Sequence, residues 1–385
     1  MLWWAHTDNS AMEYVMDMSL QPKSVLGLCA TPLLHQTSFW SLVKKQQGTL
    51  SQAYDISLSK PLASHVEDAD MLVLLQPVSH DASIAYLPYG PELNPGDGKA
   101  GAFLEELSEA LRPHLPSSCL FLRYDLPWQS PWAEDEDAYD SQGDWIGPPE
   151  PGTQEIRVNW GTVTHNLRKA PTDVLPADTI VLDIARAPED IMASMKSKTR
   201  YNIHLAHRHE VVVRTARWRE LDIFYDLYRQ TCRRNGIYLH DKSYFDALFA
   251  SARQEGVRDR QTSFELLIAQ KDEQPLAALF AVYSQKRVTY LFGASASEGR
   301  QYMGTYALQW ELIMRARSRG CTEYDMFGVA PNADPSHPMY GLYRFKTGFG
   351  GEARHLMGCW DYPLKNDGYE SYAAQEMTAQ GYHMK

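Results

Sequence analysis

The segment Tyr340-Gly341-Leu342-Tyr343-Arg344-Phe345-Lys346-Thr347-Gly348-Phe349-Gly350-Gly351 sets a lysine among aromatic residues, just ahead of three glycines. A lysine ammonium in such surroundings can steady negative charge on an oxygen, and the glycines permit tight turns beside it. On composition alone the segment also reads as a strand entering a loop, with Lys346 at the surface. A second group is basic: Lys196, Lys198, Arg200, Arg208, Arg214, Arg217 and Arg219, with His204, His207 and His209 among them and Glu210 as the single acid before Glu220. A phosphate-rich partner explains such a cluster. The alternative is a solvated face paired with the acidic stretch 134–140. Arg200, His204 and Arg208 recur at four-residue spacing and share one helical stripe, about 12 Å long at the helical rise, whereas Lys198 falls outside that narrow stripe. A third group, Gln301-Tyr302-Met303-Gly304-Thr305-Tyr306, has the outline of a phosphate-cradling loop opening a helix. Tyr306 stands where a small residue is needed, which weakens a coenzyme A site.

The bulk properties narrow the class. The chain has 385 residues, enough for two domains, with 44% hydrophobic and 22% charged residues, an ordinary globular balance. A net charge of −11 opposes a surface coated in basic charge, so any nucleic-acid contact must be local. No run approaches the roughly 18 apolar residues of a membrane span. Residues Met1 to Met18 carry Asp8, Glu13 and Asp17 without a basic leader, so no signal peptide is expected and the expected location is the cytoplasm. Five scattered cysteines without a CxxC pair fit reduced thiols, and no metal site is expected. No HExxH motif or Ser-His-Asp set competes for a catalytic role.

Periodicity supplies the elements that must position these groups. In the first half, helices are expected over His35–Gly48 and Gly101–Leu111, and strands over Met71–Val78, Ile84–Leu87 and Cys119–Asp125. Residues 126–153, rich in Pro, Gly, Asp, Glu and Trp, read as a surface excursion. The second half opens with a strand at Thr179–Asp183 and one long helix from Pro188 to about His209. There follow a strand at Val211–Thr215, a helix Trp218–Asn235 stopped by Gly236, and a helix capped by Asp241. Three strands lie at hairpin spacing, Phe264–Gln270, Leu276–Ser284 and Arg287–Gly293. A helix from Gly304 to Arg319 and strands at Tyr324–Gly328 and His355–Tyr362 close the chain. Three strands, a helix opening at a glycine and a further strand form the order of the GNAT acyltransferase core, an analogy of topology that does not fix chemistry.

Several short motifs in order carry a closer resemblance. Leu342 to Gly350 is similar to the Tyr-x-Phe-Lys-x-x-Phe element of the FemX/FemAB aminoacyltransferases. Gln36 to Lys44 resembles their Trp-x-x-x-Lys element, and Lys196-Ser197-Lys198-Thr199-Arg200 their Ser-Lys-Thr-basic helix. Asn235-Gly236-Ile237 to Ser243-Tyr244-Phe245 resembles their Gly-Ile…Tyr-Phe element, and Tyr290 to Ser295 their Tyr-x-Tyr-Ala-Gly-Ser strand. Together these cover roughly residues 30–365.

The resemblance implies a mixed α/β fold of two packed GNAT-like subdomains, 20–178 and 179–365, with a tail over 366–385. It implies transfer of an amino acid from aminoacyl-tRNA to an amine on the stem peptide of a peptidoglycan precursor, either UDP-MurNAc-pentapeptide or a lipid-linked form, with no cofactor. The short Tyr244–Phe264 interval resembles the armless FemX type. Carried over residue by residue, Lys346 and Phe345 stand at the reaction centre, and Lys44, His240, Tyr244 and Phe292 contact the acceptor. The RNA contacts fall to Lys198, Arg200 and Arg208. His240 replaces an arginine and Phe292 a tyrosine, which puts the acceptor in question. An acyl-CoA-dependent N-acyltransferase and a degenerate GNAT-like binding protein are the competing readings.

Overall fold

The computed structural model describes residues 17–59, 66–96, 98–141, 143–252 and 262–378. The first half runs β1 (Asp17–Lys23), α1 (Ser38–Gln46), β2 (Leu50–Ser59), β3 (Val66–Pro77), β4 (Ser83–Leu87), α2 (Ala100–Leu111), β5 (Cys119–Gln129), α3 (Pro151–Val158) and β6 (Arg168–Lys169). The second runs β7 (Asp178–Asp183), α4 (Pro188–Ser194), α5 (Ser197–Arg208), β8 (Val212–Thr215), α6 (Leu221–Asn235), α7 (Lys242–Ser251), β9 (Ser263–Lys271), β10 (Gln274–Ser284), β11 (Arg287–Ser295), α8 (Gly304–Ser318), β12 (Glu323–Gly328), α9 (Tyr340–Lys346), β13 (Glu352–Pro363) and α10 (Asn366–Thr378). The expected signal-peptide-free N-terminus (1–16), residues 253–261 of the armless interval and the end of the tail (379–385) lie outside the described residues.

One sheet carries both halves, in the order β1-β2-β3-β4-β5-β13-β7-β12-β11-β10-β9-β8, with β6 paired to β13. The two sides mirror each other. Four strands run antiparallel on each, followed by one parallel pair, β4 with β5 and β11 with β12. This bears out two GNAT-like subdomains. Strand β13 is shared: Glu352–His355 pairs with β7, and Leu356–Pro363 pairs with β5.

Strand β10 shows why the sheet is covered on both faces. Its near-continuous apolar run puts Ala278, Phe280 and Val282 into one core, and Ala277, Leu279, Ala281 and Tyr283 into the other. Residues from α1, α6 and α7 fill the first core, and residues from α5 and α8 fill the second. In the first half, Phe103, Leu104, Leu107 and Leu111 of α2 make a third core with β2 to β5.

Three expectations are corrected, and two strands are added. The long helix from Pro188 is two helices, because Met195 and Lys196 are extended and the Lys196 N–H donates to Gly348 O at 2.9 Å instead of to its own helix. The 340–351 segment is a helix followed by a single 3-10 turn over Thr347–Phe349, and Lys346 is buried, not a strand with a surface lysine. Strand β5 runs on to Gln129, and the 126–153 stretch is anchored by buried Trp145, stacked 3.7 Å from His355. Strands β1 and β2 were not expected. Polar residues interrupt β2, and only the alternation of Tyr54, Ile56 and Leu58 marks its core face.

The C-terminal helix is tied down by charge. Arg123, 1% exposed on β5, makes paired hydrogen bonds with Asp361 at 2.7 and 2.8 Å and with Glu376 of α10 at 2.7 and 2.8 Å. A guanidinium in so dry a place depends on both carboxylates. Asp361→Ala is expected to lower the free energy of urea unfolding by about 3–5 kcal/mol, and Glu376→Ala by less, because the Asp361 fork then remains. Losses under about 1 kcal/mol for both, as at ordinary surface positions, would contradict this role.

Candidate active site

Helix α1 begins at Thr37, whose hydroxyl accepts from Trp40 N at 3.2 Å. Trp40 and Lys44, one turn apart, share a face, and Lys44 Nζ lies 5.1 Å from the indole centroid. The same ammonium is 5.8 Å from the Tyr244 ring and donates to Gln47 Oε1 at 3.2 Å. Tyr244 is delivered by α7, which Asp241 caps by accepting from Ser243 N at 2.9 Å. His240, just before that cap, stacks on Tyr244 at 4.6 Å. Phe292 of β11 meets Tyr244 and His240 edge-on at 5.6 and 5.9 Å. The four residues expected at the acceptor are thus one cluster, brought together from α1, α7 and β11. Burial lowers the Lys44 pKa, and burial with the Lys44 charge lowers that of His240. His240 is therefore a neutral ring near pH 7 and does not replace an arginine's charge.

Lys346 sits in a different setting. Strands β11 and β12 pair only from Arg287/Glu323 to Thr289/Asp325 and then part company. The Lys346 side chain enters between them. Its Nζ donates to Phe327 O at 3.1 Å and Gly328 O at 2.8 Å, and lies 5.2 Å from the Tyr290 ring of β11. Asp325 shapes this cradle: its Oδ1 accepts from Phe327 N at 2.8 Å and from the Thr179 hydroxyl, and Phe327 takes a φ of +62°. Phe345 packs against Tyr306 at 5.2 Å and Phe349 at 5.3 Å. The tyrosine at the would-be phosphate loop is thus spent on packing. Gly350 closes the turn at φ +82°, where a Cβ would come 2.5 Å from Ser194 O.

An aromatic bridge links the two lysines. His35 stacks on Phe327 at 5.8 Å and meets Trp40 edge-on at 4.5 Å, so the ring behind the Lys346 cradle touches the indole beneath Lys44. The sequence reading missed His35, because its partners Tyr89 and Phe327 lie far along the chain and its five-residue spacing from Trp40 carries no chemical signature. The aromatic surroundings bury it and push its pKa down to about 3.

The basic stripe divides. Arg200 donates to Ala193 O at 3.3 Å and to Met195 O, closing the end of α4. Arg214 pairs with Glu220 at 2.7 Å. Lys198, His204 and Arg208 are exposed on α5, and Arg208 lies 5.5 Å from the Tyr201 ring. Among the described ion pairs, none joins this cluster to 134–140. The first turn of α5 rests on the turn after Lys346, with Lys196 Nζ 3.2 Å from Thr347 Oγ1. The basic helix therefore starts beside the buried lysine.

The model of the FemAB family matches residues 152–255 and 250–376. The chain belongs to the FemAB family. The aminoacyltransferase FemB of Staphylococcus epidermidis is 24% identical over 355 residues, 74% of this chain and 80% of that protein. The lipid II:glycine glycyltransferase of Staphylococcus haemolyticus is 21% identical over 255 residues, 51% of this chain and 61% of that one. A crystal structure of FemX superposes with a TM-score of 0.68 at 16% identity, over 91% of this chain and 96% of that one, and shares the fold. This FemAB member is accordingly an aminoacyltransferase.

Within this family member, burial pushes Lys346 down to about 7 from the ordinary 10.5, while the Asp325 carboxylate pulls the other way. Between those values the unfolded chain holds a proton that the folded chain has released, so folding stability should rise with pH from about 7 to about 10.5 on account of this residue. Lys346→Met removes that contribution. Urea unfolding at pH 7 and pH 9.5 should show wild type gaining on Lys346→Met at the higher pH, and a pH-independent difference would place the amine in a wetter site.

Proposed function

We propose that the chain transfers an amino acid from aminoacyl-tRNA to an amine on the stem peptide of a peptidoglycan precursor. The relatives' names support the reaction class: one is an aminoacyltransferase, and another is a glycyltransferase that acts on lipid II. The observation that carries the reading is the placement of Lys346. It is a buried amine between parting strands, beside the start of a basic helix and linked through His35 and Trp40 to a second lysine cluster.

The step needs no enzyme nucleophile, because the ester is already activated. The acceptor nitrogen attacks the ester carbonyl and forms the amide. The bond to the ribose 3′-oxygen breaks, and the amine's proton ends on that oxygen. The protein aligns two large substrates and steadies the charge that builds on oxygen. Lys346, when protonated, supplies that charge, and Phe345 packs against the neighbouring rings that hold its helix in place. No cofactor enters this scheme. A tRNA donor and a precursor acceptor place the reaction in the cytoplasm. Lys44 with the Tyr244, His240 and Phe292 rings offers one cation and flat surfaces to an acceptor diphosphate, a group common to UDP-linked and lipid-linked precursors.

An acyl-CoA donor is the weaker reading, because Tyr306 packs on Phe349 at 5.9 Å as well as on Phe345, at the helix end where a pyrophosphate would sit.

Two expectations test the assignment. Lys44→Ala should raise the acceptor KM more than it lowers kcat, and an unchanged KM would remove Lys44 from the acceptor site. On α5 the informative pair is Lys198→Glu with Arg208→Glu, since replacing Arg200 would also disturb the end of α4. The pair should weaken binding of charged tRNA and flatten its salt dependence by about one unit of slope or more, with acceptor binding unchanged. Wild-type tRNA binding that ignores salt would defeat the RNA role of this helix.

A further inference from the structure

On the far side of the His35–Phe327 stack lies a cavity of about 210 Å³ to which the scheme above gives no role. Its floor is one face of four adjacent strands, with Arg354 of β13 beside Thr179 of β7, Asp325 of β12 beside Thr289 of β11, and Arg287 of β11 two residues back, beside Glu323. Its roof includes His35, only 2% exposed.

The charges are arranged at two ends. At one, Glu323 sits between two guanidiniums, accepting from Arg287 at 2.7 and 3.0 Å and from Arg354 at 3.3 Å. One carboxylate between two arginines leaves that end cationic, with N–H groups of Arg354 unclaimed among the described residues. At the other end, Asp325 is 8% exposed and receives both of its hydrogen bonds on Oδ1. Its Oδ2 has no donor among the described residues, and neither ring nitrogen of His35 has a hydrogen-bond partner there. That oxygen opens on the cavity, where a ligand can supply the donor.

The two ends match one kind of molecule. An inorganic anion would satisfy the arginines and oppose Asp325, and a metal cation would do the reverse. The Glu323 and Asp325 rungs are two residues apart on one strand face, about 6.6 Å along the strand. An α-amino acid with a hydrogen bond of about 2.8 Å at each end spans about 7–9 Å. We propose that this cavity binds a small zwitterion, an amino acid or short free peptide, with its ammonium at Asp325 and its carboxylate at the arginines. Because Asp325 also accepts from the N–H of Phe327, the residue whose carbonyl cradles Lys346, occupancy is felt at Lys346. That consequence rests on the catalytic reading of the lysine, whereas the binding itself does not.

The test is calorimetric titration of the full-length protein with glycine, L-alanine, L-serine and diglycine, against N-acetylglycine and glycinamide as blocked controls. Saturable binding by a free zwitterion and none by the blocked forms is expected. Tighter binding of diglycine than of glycine would identify a short free peptide as the source, and the reverse order a free amino acid. Asp325→Asn and Arg354→Gln should each raise Kd about tenfold, the worth of one charge-assisted hydrogen bond. Arg354 lies half-exposed at the mouth, so Arg354→Gln keeps the test open if Asp325→Asn fails to fold. No saturation by any zwitterion, equal binding of the blocked forms, or an unchanged Kd in Arg354→Gln would each overturn the proposal.

Discussion

The double pairing of β13 is the constraint on which the rest of the molecule depends. Its first four residues pair with β7 of the second half and the remainder with β5 of the first, so this one strand joins the two halves into a single sheet directly after Lys346. A slip of one residue in an antiparallel ladder would turn every side chain to the wrong face. Gly351, at the head of the strand, lies so close to β7 that a Cβ would come 2.6 Å from Leu182 and 2.8 Å from Val181 O. The register of a long strand is thereby transmitted to a single amine at its root.

That amine is held at a cost. An ammonium out of water is disfavoured, and two backbone carbonyls with one aromatic face compensate only in part, so its proton affinity falls. A group in this condition responds to any new charge beside it, whether a developing oxyanion or a ligand's ammonium. Lys44 is treated in the same way more gently, half-buried above an indole. Between the two lies His35, a neutral ring that passes packing, not charge, from one to the other.

The sequence made much of this legible. The apolar run of β10, the periodicity of α2 and the Gly236 stop of α6 named their own elements, and short motifs in order marked Lys44, Tyr244, Phe292 and Lys346. What stayed hidden depends on distant partners. The break before Lys196 is made by its N–H donating to Gly348 O, and no helix propensity near Ser194 announces it. Arg200 looked free for RNA by spacing, yet it closes the end of α4. His35 and Asp325 carry no local signature, since most of their neighbours come from other elements: Tyr89 and Phe327 for the first, Thr179 of β7 and Thr289 of β11 for the second.

The account stands on Lys346 and the Lys44 cluster serving one transfer reaction. The most direct measurement is the mass of the acceptor after incubation with a pool of charged tRNAs, using UDP-MurNAc-pentapeptide and a lipid-linked precursor in parallel. Wild type should add one amino-acid residue to one of them, and folded Lys346→Met should add essentially none, since losing one such charge typically lowers the rate by about 10²–10³. A mass gain undiminished in Lys346→Met, or one obtained from acetyl-CoA and not from charged tRNA, would contradict it.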